Sequence, residues 1–128
     1  MAEEPKPPSE HEVYRGVRDG AQLKALANGL IVVRRKKHEA IDLSGLAAME
    51  LVKRSSKVSG SKFAADWNLK RCVDWIEKQT VELGWTSESG AKTEDVSFEE
   101  AVGISRGKKV YTIRLVSDGR HVHAYPVE

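Results

Sequence analysis

The clearest hydrophobic periodicity in the chain runs from Lys62 to Leu83. Placed at 100° per residue, Ala65, Leu69, Cys72, Val73, Ile76, Thr80 and Leu83 fall on one stripe about a quarter-turn wide. That spacing predicts a helix over 62–83, with Ser61 suited to the N-cap and Gly84 to the left-handed position past the C-terminus. A second amphipathic stretch, 42–53, has Asp42 or Ser44 as cap and sets Leu43, Ala47 and Leu51 on one line. Met49 and Val52 point elsewhere, as in a helix covered on more than one side. Ala21–Ala27 holds good helix formers behind Asp19. The Asn28-Gly29 that follows suits either a left-handed stop to that helix or a hairpin turn into the next segment. Leu30–Val33 is apolar and mostly β-branched and runs into Arg34-Arg35-Lys36-Lys37, which predicts a strand, 30–35, that starts buried and ends in solvent.

The C-terminal part alternates with period two. Lys109–Val116 and His121–Val127 flank Ser117-Asp118-Gly119-Arg120, and Asp-Gly favours a two-residue type I′ turn. Such a turn pairs Val116 with His121, Arg114 with His123 and Thr112 with Tyr125. Tyr111, Ile113, Leu115, Val122 and Ala124 then share a core face, and Arg114, His121, His123 and Tyr125 a surface one. Residues 86–108 are rich in Ser, Gly and acids and read as loop, with a short helix at Ser97–Val102. Residues 54–61 read as a linker. Residues 1–12 hold three of the four prolines and no apolar period, and are expected to be a disordered tail.

These elements predict an α+β fold in a single domain, 13–128. A small antiparallel sheet, strand 30–35 plus the C-terminal hairpin 109–127, would be covered on one face by the helices 42–53 and 62–83. The element order is shared with winged helix-turn-helix modules. There, 62–83 would be the recognition helix and Asp118-Gly119 the wing tip. Against this stand the length of that helix and the long stretch separating it from the hairpin.

Composition changes this picture little. The 128 residues are 40% hydrophobic and 31% charged, ordinary for a globular chain. The longest aliphatic run, Leu30–Val33, is far short of a bilayer span of about 20 residues. The first residues, Met-Ala-Glu-Glu-Pro-Lys-Pro-Pro, resemble no secretory signal, and the lone Cys72 forms no internal disulfide. A cytoplasmic or nuclear, non-secreted protein with no membrane partner is expected.

Charge adds more. The net +2 conceals −3 over residues 1–12, +7 over 13–81, −5 over 82–100 and +3 beyond. Segregation of this kind sets a basic face against an acidic one if it persists in space. Three basic runs stand out: Arg34, Arg35, Lys36 and Lys37; Lys53, Arg54, Lys57 and Lys62; and Arg106, Lys108 and Lys109. Such clusters suit phosphate backbones, and the N-terminus of a helix beginning at Lys62 would add free N–H groups. Trp67 lies opposite the apolar stripe among Lys70, Arg71 and Lys78. That position fits an exposed interface anchor or base-stacking platform, and equally a ring packed beneath the N-terminal segment or the acidic loop. Trp85 suits the apolar contact of a left-handed cap, and Trp75 a half-buried edge.

Catalytic and metal chemistry have little to stand on. His121 and His123 share a strand face, about 7 Å apart by strand rise, but no third ligand has a spacing relation to them. No complete phosphate loop is present, no carboxylate pair is placed across a cleft, and Cys72 lies on the core stripe. No cofactor is therefore expected. Two readings remain: a protein-interaction or assembly subunit docking through its charged faces, and a nucleic-acid binder. Both use Arg34, Arg35, Lys36, Lys37, Arg54, Lys57, Lys62, Trp67, Lys70 and Arg71 toward an acidic partner surface. The stripe carries its own test: Ile76→Asp is expected to abolish cooperative unfolding, and a wild-type thermal melt for that variant would refute the helix's buried side.

Overall fold

Pairing between distant segments decides more of this fold than local propensity does. The computed structural model describes residues 21–34, 38, 40, 41 and 61–128. The strands are β1 (Ala21–Ala25), β2 (Ile31–Arg34), β3 (Ala40–Ile41), β4 (Lys62–Ala64), β5 (Lys92–Ser97), β6 (Gly103–Ser105), β7 (Lys108–Val110), β8 (Thr112–Ser117) and β9 (His121–Val127). One helix, α1 (Leu69–Leu83), completes the described elements. One sheet has the order β1-β2-β9-β8-β5 and the other β3-β4-β6-β7. The predicted tail 1–12 and the predicted helix 42–53 lie outside the described residues. None of the described helical residues forms a segment long and apolar enough to cross a membrane.

The mixture of α and β agrees with expectation; the purely antiparallel sheet does not. β2 runs parallel to β9, with Ile31 beside His121, and β3 runs parallel to β4. Hydrophobic pattern carries no strand direction, and a parallel neighbour reached by a long crossover leaves no local mark. The expected helix at Ala21–Ala27 is likewise a strand. The hairpin alternative for Asn28-Gly29 holds: Leu26 N–H donates to the Leu30 carbonyl at 2.8 Å, Asn28 Oδ1 accepts from Leu30 N–H at 3.0 Å, and Gly29 has φ +90°. Pairing with β2 and burial of Leu26 and Leu30 outweigh a modest helix preference.

The long helix starts later than its stripe suggests. Lys62–Ala64 pairs with β3 and β6, so Ser61 is no cap. Asn68, extended at ψ 174°, caps instead by accepting from Arg71 N–H at 2.9 Å. Within α1, Cys72, Ile76 and Thr80 are buried and Val73 packs at the margin. Ala65 falls in the preceding turn, and Leu83 is 38% exposed. The stop at Gly84 is as expected: φ is +70°, its N–H donates to Val81 and that of Trp85 to Thr80, and Trp85 is buried.

Residues 86–108 are loop for a little over half of their length, as expected, but they also hold β5, β6 and the first residue of β7. β5 pairs with β8 along its whole length, and the supposed helix at Ser97–Val102 bridges between strands, with Phe98 N–H donating to Tyr111 and Val102 N–H to Val110. In the C-terminal hairpin the register is shifted by two residues: Val116 faces His123, Arg114 faces Tyr125 and Thr112 faces Val127. The loop is closed by Asp118 rather than by a type I′ turn. Its Oδ1 accepts from Arg120 and His121 N–H at 2.8 and 2.6 Å. These bonds, His121's foremost, hold the Asp118 carboxyl below the usual carboxylate range. A shift of two preserves the faces. Ile113, Leu115, Val122 and Ala124 are buried as predicted, while Tyr111 is 49% exposed. The opposite face is half-buried rather than open: Tyr125 stacks near-parallel to both His38 (5.0 Å) and His123 (5.6 Å).

Two glycines separate space from backbone freedom. A Cβ on Gly103 would meet the Lys62 carbonyl oxygen and lie 2.7 Å from Pro126 Cγ, where β6 crosses β4 and β9. At Gly84 nothing lies within 4 Å, so only the left-handed backbone resists a side chain. Gly84→Ala is expected to cost about 1 kcal/mol in urea unfolding, and Gly103→Ala about 2–3 kcal/mol; the reverse order would contradict this packing.

Candidate functional site

The turn between β4 and α1 sets Trp67 at the mouth of the helix. Trp67 N–H donates to the Ala64 carbonyl at 2.9 Å, and its own carbonyl accepts from Arg34 Nη1 at 2.9 Å. Its ring lies over Phe63 at 6.0 Å and meets Trp75 and Phe98 edge-on at 5.7 and 5.4 Å. The Arg71 guanidinium stands 4.1 Å above the Trp67 ring and binds Asp66 at 2.7 Å. Of the two readings of Trp67, the packed ring holds and the exposed anchor does not: it is 2% exposed, meets Phe98 of the acidic stretch, and precedes the helix instead of riding on its outer side.

What opens beside it is a groove of about 450 Å³. Its floor is aromatic, from half-buried Trp75 and Phe98 with the edge of Trp67 beneath. Asn68, Lys70, Arg71, Asp74 and Lys78 form the walls, three cations against one acid. Lys70 reaches Asp74 at 2.9 Å and Lys78 reaches Glu82 at 4.0 Å, each one helical turn on. These pairs are exposed and individually weak, so an arriving carboxylate could displace them at little cost.

Of the residues singled out from sequence, Trp67, Lys70 and Arg71 come together here. Lys62 sits in β4, half-buried, opposite Ile104. Arg34, expected in solvent, is 1% exposed, with its guanidinium 4.7 Å from the Phe63 ring centre. Its position in β2, beside the β4 turn, draws it inward. Arg35, Lys36, Lys37, Arg54 and Lys57 lie outside the described residues. Arg106, Lys108 and Lys109 fall on the β6–β7 hairpin, where Arg106 approaches Glu128 at 3.9 Å. Among the described residues no three His, Cys, Asp or Glu side chains are grouped to hold a metal ion, and Cys72 is buried.

Phe98 and Asp74 were not singled out from sequence, and Trp75 was read only as a half-buried edge. Within α1, residues 70, 71, 74, 75 and 78 follow the spacing i, i+1, i+4, i+5, i+8, so most of this wall is a second, mixed helical stripe. The signal was present but obscured by its charges. Phe98 comes from another element and left no such trace.

The described fold-like elements of a winged helix are not arranged as in that module, since Lys62–Ala64 is a strand and the C-terminal hairpin lies within a five-stranded sheet. Truncation distinguishes floor from foundation. Trp67→Ala is expected to destabilise the protein by about 3–5 kcal/mol in denaturant titration, and Trp75→Ala by clearly less; equal losses would mean that Trp75 is core rather than groove. Comparison with protein-family models, with curated proteins and with solved structures found no match.

Proposed function

We propose that the chain is a non-catalytic protein-interaction or assembly module whose groove takes a segment of a partner protein bearing an apolar anchor flanked by acidic side chains. The observation that carries this reading is the cluster of Trp67, Trp75 and Phe98 opening between Lys70, Arg71 and Lys78. Interface energy concentrates where an aromatic or aliphatic side chain fills a pocket, and surrounding charges set orientation and on-rate. Trp75 and Phe98 supply such a pocket, and the cations favour carboxylates. The alternative, binding to nucleic acid, draws less support from this site. Arg71 and Phe63 occupy the surroundings of the Trp67 ring that a base would need for stacking, and Arg34 is turned inward.

The reading is tested by fluorescence anisotropy with a panel of labelled acidic peptides carrying one leucine or tryptophan, run beside single-stranded RNA and duplex DNA. Trp75→Ala is expected to weaken peptide binding by about tenfold or more. The double variant Lys70→Glu/Lys78→Glu should weaken it further at low salt than at high salt. Peptide binding indifferent to both variants would overturn the proposal. Oligonucleotide binding that falls steeply with salt would favour the alternative instead.

A further inference from the structure

The sheet edge beside the groove offers a way to hold the partner segment, an inference that rests on the docking reading above. β5 ends the five-stranded sheet: β8 is on one side, and among the described residues no strand lies on the other. Five of its six residues are exposed. An edge of this kind presents backbone donors and acceptors to another extended chain.

Register sorts its side chains. Glu94 faces Leu115 and Val96 faces Ile113, so both project to the side that carries the core. Phe98, two residues beyond Val96, continues along that side and lines the groove. Thr93, Asp95 and Ser97 project to the other side, where Asp95 is held bidentately by Arg114 at 2.9 and 3.1 Å. The Arg114 guanidinium keeps the Asp95 carboxyl ionised, below its ordinary range.

We infer that β5 accepts an extended segment of a partner protein as an additional strand, its inward side chains continuing the row Glu94, Val96, Phe98 into the aromatic groove. Charge and alternation specify the occupant. Across from Glu94 it carries lysine or arginine, across from Val96 an apolar residue, and two residues on a second apolar residue that reaches Trp75. Carboxylates past that anchor meet the groove's cations. A second copy of this chain is the wrong occupant, because β5 paired with itself about either central residue sets Glu94 against Glu94 or Asp95 against Asp95, acid facing acid. The same two acids blunt indiscriminate edge pairing, so they select a partner rather than forbid one.

The probe is a fluorescein-labelled peptide, Gly-Thr-Lys-Thr-Val-Thr-Leu-Asp-Glu-Glu, titrated with the full chain. Two further series carry N-methyl groups on alternate residues, one series for each parity. Micromolar binding is expected. One N-methyl series should lose about tenfold or more in affinity and the other less than about twofold, because only alternate amides face a pairing strand. Glu94→Lys should weaken binding of this probe and leave the thermal melt unchanged. Equal effects of the two N-methyl series would overturn strand addition. If Trp75→Ala still weakened binding in that case, the groove reading would stand alone. Parity-dependent loss with no effect of Trp75→Ala would instead retain the edge and overturn the groove. No binding at about 1 mM peptide would overturn both.

Discussion

Placing a guanidinium inside a protein costs several kcal/mol unless its donors and charge are answered there. Arg34 sits at the inner end of β2, 1% exposed, with Nη1 on the Trp67 carbonyl and its plane near the Phe63 ring. That contact ties the first sheet to β4 of the second and to the turn that begins α1. The turn fixes Trp67, and Trp67 fixes the edges of Trp75 and Phe98. The groove is therefore built outward from a buried cation, and its aromatic floor is part of the core rather than an addition to it.

The sequence features that proved legible depend on local geometry. Gly84 is needed because a left-handed residue closes the helix, and Ile113, Leu115, Val122 and Ala124 share a face whatever the loop does. A two-residue slip of register leaves that face intact because the strand period is two. The helix starts later than its pattern suggests because Ala65 keeps the apolar spacing and Ser61 suits a cap, while Lys62-Phe63-Ala64 between them serves as a strand between β3 and β6. The Ala-rich segment before Asn28 was misread because its partner strand, not its own preference, determines its state.

The site was less legible than the fold. Lys70 and Arg71 could be placed beside an aromatic from spacing alone. A packed Trp67 was one of two readings open in the sequence, and the helix beginning at Leu69 decides between them. Phe98 reaches the groove only because β5 pairs with β8 and carries the chain back across the sheet. Arg34 shows the limit of reading charge from a run: four consecutive cations look like one solvated stretch, yet the first of them is inside.

The parallel pairing of β2 with β9 has a consequence for the order of events in folding. β1 and β2 are neighbours in the chain and can associate early, but Ile31 and Val32 must wait for His121 and Val122 before the sheet closes. Closing so long a loop is entropically slow, and an apolar strand left waiting offers its edge to any other chain nearby. Leu30 and Val32, the most deeply buried residues of that hairpin, are thus the ones whose exposure in a half-folded chain carries the greatest hazard of misassembly.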